Sequence, residues 1–178
     1  MDNTKEATEK LISLYRHDFL NILQVVGGMA QLNKTDKLMI YIRKASEEVQ
    51  QFGRFIGCGD PRLALMIYET LLENVAGNYV LQITGTLAVL PDNVLPALEQ
   101  TLQPVRALLE ELGECTLSVA IHGSDSKLQI YIINDANTEV DWQPVLEQAQ
   151  LHGLQAEVLA KKNELVLCLD KLGPASEK

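Results

Sequence analysis

The residues best placed to do chemistry stand together near the N-terminus, as Arg16, His17, Asp18 and Asn21. A neutral imidazole is a good nucleophile near pH 7. Attack by its nitrogen on a phosphoryl group gives a phosphoramidate, a high-energy bond that passes the group on readily. Asp18 can orient or electrostatically tune the ring. Asn21, one turn further along a helix, can donate a hydrogen bond to a phosphoryl oxygen, and Arg16 or Lys10 can offset its charge. The other candidates are weaker. His122 and His152 lack partners at metal-ligand spacing. Ser124 and Ser126 fall in a turn without a glycine-framed nucleophile elbow. Cys58, Cys115 and Cys168 are scattered, with no paired spacing, so neither a zinc site nor a disulfide framework is expected.

These residues need a helix to display them. Asn3 reads as an N-cap with Glu6 three residues on, and the helix runs to about Leu32, where Asn33-Lys34-Thr35-Asp36 forms a turn-like cluster. At about 100° per residue, Lys10, Ser13, Asn21, Gln24 and Gly28 fall within about 40° of His17. Leu11, Ile12, Tyr15, Phe19, Ile22, Val26 and Met29 lie on the opposite half. His17 therefore faces away from the core. Two readings fit that position: an ordinary solvated histidine, or a side chain displayed for a partner. Leu14 and Leu20 stand about 60° to either side of it. With Gln24 they favour a docking surface.

A second helix follows from about Asp36 to Ile56. Leu38, Ile42, Ala45, Val49, Phe52 and Ile56 recur at alternating steps of four and three, the seam of a coiled coil or bundle. Two helices alone leave much of such seams wet, so the hairpin is expected to pair with a copy of itself as a four-helix bundle. Gly57-Cys58-Gly59-Asp60-Pro61 breaks the chain, giving a hairpin over 1–59 and a second domain over 60–178. In that domain Asp60 caps a helix with Pro61 at its first position and Gly77 at its end. Strands are expected at Tyr79–Thr84, Thr116–His122, Lys127–Ile133, Gln155–Ala160 and Glu164–Leu169. Helices are expected at Asp92–Leu112, bent or split by Pro96 and Pro104, and at Trp142–His152. The fold class is α+β, with helices on one face of a sheet.

The net charge is −9, which disfavours nucleic acid and anionic membrane surfaces as partners. The polar start MDNTKEATEK lacks the apolar run of a signal peptide, and no 18-residue apolar stretch occurs, so a cytoplasmic protein is expected.

Arg16-His17-Asp18-Phe19-Leu20-Asn21, then Leu23-Gln24-Val25 and Ala30-Gln31-Leu32, resembles the phosphoacceptor helix of the sporulation initiation phosphotransferase B family, a helix type shared with citrate- and malate-sensing histidine kinases. That family often has a basic residue or histidine after the Asn, where this chain has Ile22. The resemblance reaches weakly to Pro61-Arg62-Leu63-Ala64. The second domain is similar, in its order of elements, to the ATPase lobe of histidine kinases, but it departs from that lobe where nucleotide would bind. The helix Leu95–Leu112 has no Asn to hold magnesium. Asn134-Asp135-Ala136-Asn137-Thr138 has no glycine where the lobe has an Asp-x-Gly-x-Gly loop, so the backbone cannot cradle phosphates closely. Asp135 reads as a turn residue.

The resemblance implies a phosphorelay shuttle with a degenerate lobe. His17 would take a phosphoryl group from an aspartate of one response regulator and give it to an aspartate of another, in a sporulation-type relay. Asp18, Asn21 and Arg16 would assist, and Leu14, Leu20 and Gln24 would dock the regulator. No cofactor of its own is expected, the regulators bringing the magnesium. The alternatives are a dimeric scaffold that binds a regulator without transfer, and an ATP-using histidine kinase fragment.

Overall fold

The structure is a computed structural model and describes residues 3–73, 79–87, 89–112, 115–124, 126–135, 139–159 and 163–170. It forms two compact units, Met1–Leu65 and Met66–Lys178.

The first unit is a helical hairpin. Helix α1 spans Asn3–Gln31 and α2 spans Thr35–Ile56. Asn3 lies inside α1 instead of capping it, and the residue before it is outside the described residues. The turn closes α1 with a left-handed residue, Asn33, at φ 52°. Lys34 N–H donates to Met29 C=O and Asn33 N–H to Ala30 C=O, each at 3.1 Å. This is the Schellman pattern, and asparagine tolerates it better than residues with bulkier side chains. The core of the hairpin is narrow: Ala7, Leu11, Ala45, Phe52 and Phe55 are buried. Tyr15 stacks on Phe52 with ring centroids 4.7 Å apart and planes 9° from parallel. This contact fixes how the two helices face each other just below His17.

Helix α3, Pro61–Ile67, continues into a π-helical turn, Tyr68–Leu72. Asp60 caps α3 as its sequence suggests, its Oδ1 accepting the backbone N–H of Arg62 at 3.1 Å. The same carboxylate, fully buried, holds the Arg62 guanidinium through Nε and Nη2, each at 3.1 Å. Gly77, expected to end this helix, lies outside the described residues.

The second unit carries a five-stranded sheet in the order β1-β2-β3-β5-β4. The strands are β1 Tyr79–Gly85, β2 Leu117–Gly123, β3 Lys127–Asn134, β4 Gln155–Val158 and β5 Glu164–Asp170. Strands β1 and β2 are parallel, and the other pairs are antiparallel. A parallel pair needs a crossover, here α4, Val94–Leu112. One sheet face is built from Leu81 and Ile83, then Leu117, Val119 and Ile121, then Leu128, Ile130 and Ile132, then Leu165, Leu167 and Leu169, all buried. Buried side chains of α4 (Leu98, Leu102, Val105, Leu109) and of α5, Gln143–Leu151 (Val145, Ala149), complete the layer.

Helix α4 remains one helix with Pro104 inside it. An interior proline costs roughly 3 kcal/mol. Fully burying one leucine or valine returns about 1.5–3 kcal/mol, and α4 buries four such side chains. Pro96 falls in the first turn, where the missing N–H would have had no intrahelical partner. At the far end of the β1–β2 pair, Gly85 has φ +77°, and a Cβ there would collide with the carbonyl oxygen of Gly123.

Candidate functional site

Helix α1 presents His17 to solvent, with its side chain 77% exposed and that of Asp18 46% exposed. His17 Nδ1 lies 3.4 Å from Asp18 Oδ1 and also 3.4 Å from Asn21 Nδ2. The two contacts address the same ring nitrogen and compete. The carboxylate needs a proton on Nδ1, whereas the amide needs a lone pair there. With the proton on Nδ1, the lone pair is on Nε2, and the Asn21 amide is released to another acceptor. Asp18 thus favours the tautomer whose outer nitrogen is nucleophilic. At 3.4 Å and with this exposure both bonds are weak, and they bias the ring more than they clamp it.

Arg16 and Gln24 are exposed, and Arg16 makes no ion pair among the described residues. Leu20 is 51% exposed and Leu14 is half-buried. His17, Asp18 and Asn21 are therefore brought together, while Arg16, Leu14, Leu20 and Gln24 lie around them on the same helix. The wheel placed Ile12 and Phe19 on the core side, yet both are exposed, as is Leu23. These three share a stripe about 110° from the direction in which α1 meets α2. The signal was present in the sequence: the apolar arc of α1 is wider than one partner helix can cover.

In the second unit Asp135 spends its carboxylate on the fold. Its Oδ1 accepts the backbone N–H of Thr116 at 2.5 Å, and this bond holds its pKa below the ordinary carboxylate value. Asn134 is buried, and its N–H donates to the Asn163 carbonyl at 3.1 Å. Ala136 to Thr138 lie outside the described residues. His122 bonds Thr84 through Nδ1 and meets Tyr131 edge-on at 5.1 Å, on the outer face of the sheet. Burial pushes the Cys58 thiol up, so it stays protonated near neutrality. Among the described residues no group of three or more His, Cys, Asp or Glu could hold a metal ion, and no helix is long and apolar enough to cross a membrane.

Helix α1 thus displays a histidine to solvent beside a carboxylate and an amide. Residues 1–58 match the family model of the α-helical domain of SpoOB-type sensor kinases. No significant match was found among the curated proteins. Solved structures similar to the chain include a bacterial phosphotransferase, at 15% identity over 93% of this chain and 96% of that one, with a TM-score of 0.36. The catalytic domain of the histidine kinase ThkA is similar at 10% identity over 61% of this chain and 88% of that one, with a TM-score of 0.42. ThkA in complex with the response regulator protein TrrA gives 11% identity over 92% of this chain and 61% of that one, with a TM-score of 0.43.

Proposed function

We propose that the protein is a histidine phosphotransferase that carries a phosphoryl group between aspartates of response regulators on His17. The observation that carries this reading is the outward His17 with Asp18 and Asn21 both at Nδ1, within a segment of the SpoOB-type helical family.

The reaction balances without redox chemistry. The Nε2 lone pair attacks the phosphorus of an aspartyl phosphate. An N–P bond forms, the acyl phosphate P–O bond breaks, and the regulator's carboxylate leaves as an anion. The ring keeps its Nδ1 proton and gains positive charge, which Asp18 offsets. Asn21 donates to a phosphoryl oxygen and Arg16 neutralises part of its charge. The reverse attack, by an aspartate of a second regulator, restores neutral His17. The chain supplies mainly a positioned nucleophile, and the magnesium comes with the regulator. Leu14, Leu20 and Gln24 form the contact around the reacting centre. The protein acts as a homodimer whose hairpins join through the Ile12, Phe19 and Leu23 stripe, forming a four-helix bundle in the cytoplasm. The second unit is a degenerate ATPase-like lobe. Asp135 there ties the end of β3 to Thr116.

The test mixes the purified protein with phosphorylated receiver domains and magnesium, without ATP. Acid-labile, base-stable label on the native chain and none on His17→Ala supports the reading. A native chain that binds a regulator but takes no label supports a scaffold instead.

A further inference from the structure

The charge of this chain is unevenly placed. Residues 16–44 hold five basic residues, Arg16, Lys34, Lys37, Arg43 and Lys44, against two acidic ones, Asp18 and Asp36, in a chain of net charge −9. The second unit has the opposite balance, 16 acidic residues against 6 basic. Of those five, only Lys44 has an ion pair among the described residues, an exposed one with Glu48 at 3.7 Å. Lys37 stands in the first turn of α2, where the helix dipole disfavours a cation, so its own helix gives no reason for it. These charges stay at the surface of any assembly, because burying an unpaired ammonium or guanidinium is prohibitive. Their side of the hairpin also differs from that of the dimer stripe. On α2, Ile42 lies about 60° to one side of Ala45, and Lys37 and Lys44 lie about 80–100° to the other. With the helices antiparallel, Ile42 falls on the side of Ile12, Phe19 and Leu23, and the two lysines fall on the side of His17. Hairpins joined through that stripe leave the lysines outside. Tyr15 stacks on Phe52, which puts Lys44 opposite Leu23 and Lys37 opposite Ala30. At 1.5 Å per residue they stand about 9 Å and about 20 Å along the axis from His17.

We propose that Lys37 and Lys44 form a cationic rail that steers an anionic partner to His17, namely the face of a receiver domain that bears its phosphoryl group. The occupant follows from charge. A phosphoryl group adds negative charge to the aspartate that carries it, and the rail attracts that face. The acidic second unit repels the same face, so the partner is drawn to the hairpin and away from the rest of the chain. Nucleic acid, the other polyanion, is disfavoured by the net charge of −9. The screening length is about 30 Å at 0.01 M salt and about 8 Å at 0.15 M. At low salt the field of both lysines therefore reaches His17, and at high salt it fades. The choice of partner rests on the phosphotransfer reading, whereas the field at His17 does not.

The first arm of the experiment needs no regulator. Phosphoramidate, a small anionic donor, phosphorylates imidazole: the ring nitrogen attacks phosphorus, the donor's P–N bond breaks and ammonia leaves. The full chain, native and with Lys37→Gln and Lys44→Gln together, is labelled at about 0.01 M and about 0.3 M salt. His17→Ala is the blank, and diethyl pyrocarbonate, which is neutral, is the uncharged control. Native labelling by phosphoramidate is expected to be about threefold faster at low salt, with most of that gain lost in the double variant. Diethyl pyrocarbonate should respond to neither change. The same salt response in the native chain and the variant would overturn the proposal. In the second arm, association of a phosphorylated receiver domain is followed by stopped flow. Its on-rate is expected to fall about tenfold from low to high salt with the native chain and about threefold with the variant, the off-rate changing little. An on-rate that ignores both salt and the substitutions would overturn the steering. Duplex DNA that binds the native chain more tightly than the receiver domain does would overturn the choice of partner. A native chain labelled by phosphoramidate with the expected salt response, but by no receiver domain, would sink the partner and the phosphotransfer reading together and leave the field at His17 standing.

Discussion

His17 Nδ1 sits 3.4 Å from Asp18 Oδ1, the adjacent residue, so a carboxylate and not the helix backbone biases the ring's tautomer. Asp18→Asn removes the acceptor charge but keeps the size. The expected result is a transfer rate lower by about fivefold, in line with roughly 1 kcal/mol for a weak, exposed hydrogen bond to a charged group. Rates of His17 labelling by a phosphorylated receiver domain check it. An unchanged rate would make Asp18 a solvated helix residue.

Asn21 reaches the same nitrogen from one turn away. Its role in holding a phosphoryl oxygen predicts that Asn21→Asp slows labelling more than Asn21→Ala does, because the new carboxylate repels the incoming group. Single-turnover labelling of the two variants gives the comparison. Equal rates would remove Asn21 from the reacting centre.

Asp60 is fully buried and grips Arg62 through three hydrogen bonds at 3.1 Å. Asp60→Ala takes the buried carboxylate away from the largely buried Arg62 guanidinium and removes the cap of α3. The expected loss of stability is about 3–5 kcal/mol, read from denaturant unfolding. A loss below about 1 kcal/mol would mean that solvent reaches Arg62 freely.

The Asp135 carboxylate is held below its ordinary pKa by the Thr116 N–H. A depressed folded value contributes stability above the ordinary carboxylate pKa, and this contribution is lost as pH falls through the folded value. Asp135→Asn should therefore lower the melting temperature at neutral pH and make little difference in strong acid, below the folded pKa. A difference that is the same at both ends of the range would show that the charge plays no part.

The sequence made most elements legible because their signals are local. The strand β3 was expected at Lys127–Ile133 and is found at Lys127–Asn134, since Leu128, Ile130 and Ile132 recur at every second position. The same holds for the outward position of His17, which follows from helical rotation alone. The single helix α4 was not legible, because Pro104 is a local breaker and its compensation is burial of Leu98, Leu102, Val105 and Leu109 against other elements. Strand order was not read either, although a trace of it was present. Strand β5 buries three residues in a row, Leu165, Val166 and Leu167, as an interior strand does, whereas β4 keeps Gln155 and Glu157 exposed at the sheet edge. At the site, the exposure of Ile12 and Phe19 escaped the wheel because a wheel shows direction but not how many partners surround a helix.

The central claim is that His17 itself carries a phosphoryl group taken from a regulator aspartate. The most direct measurement is transfer of label from a panel of phosphorylated receiver domains, with magnesium and no ATP, to the native chain and to His17→Ala. The account predicts acid-labile, base-stable label on the native chain alone, returned to a second receiver domain when one is added. Label on His17→Ala, or no label on the native chain from any receiver domain in a broad panel, would contradict it.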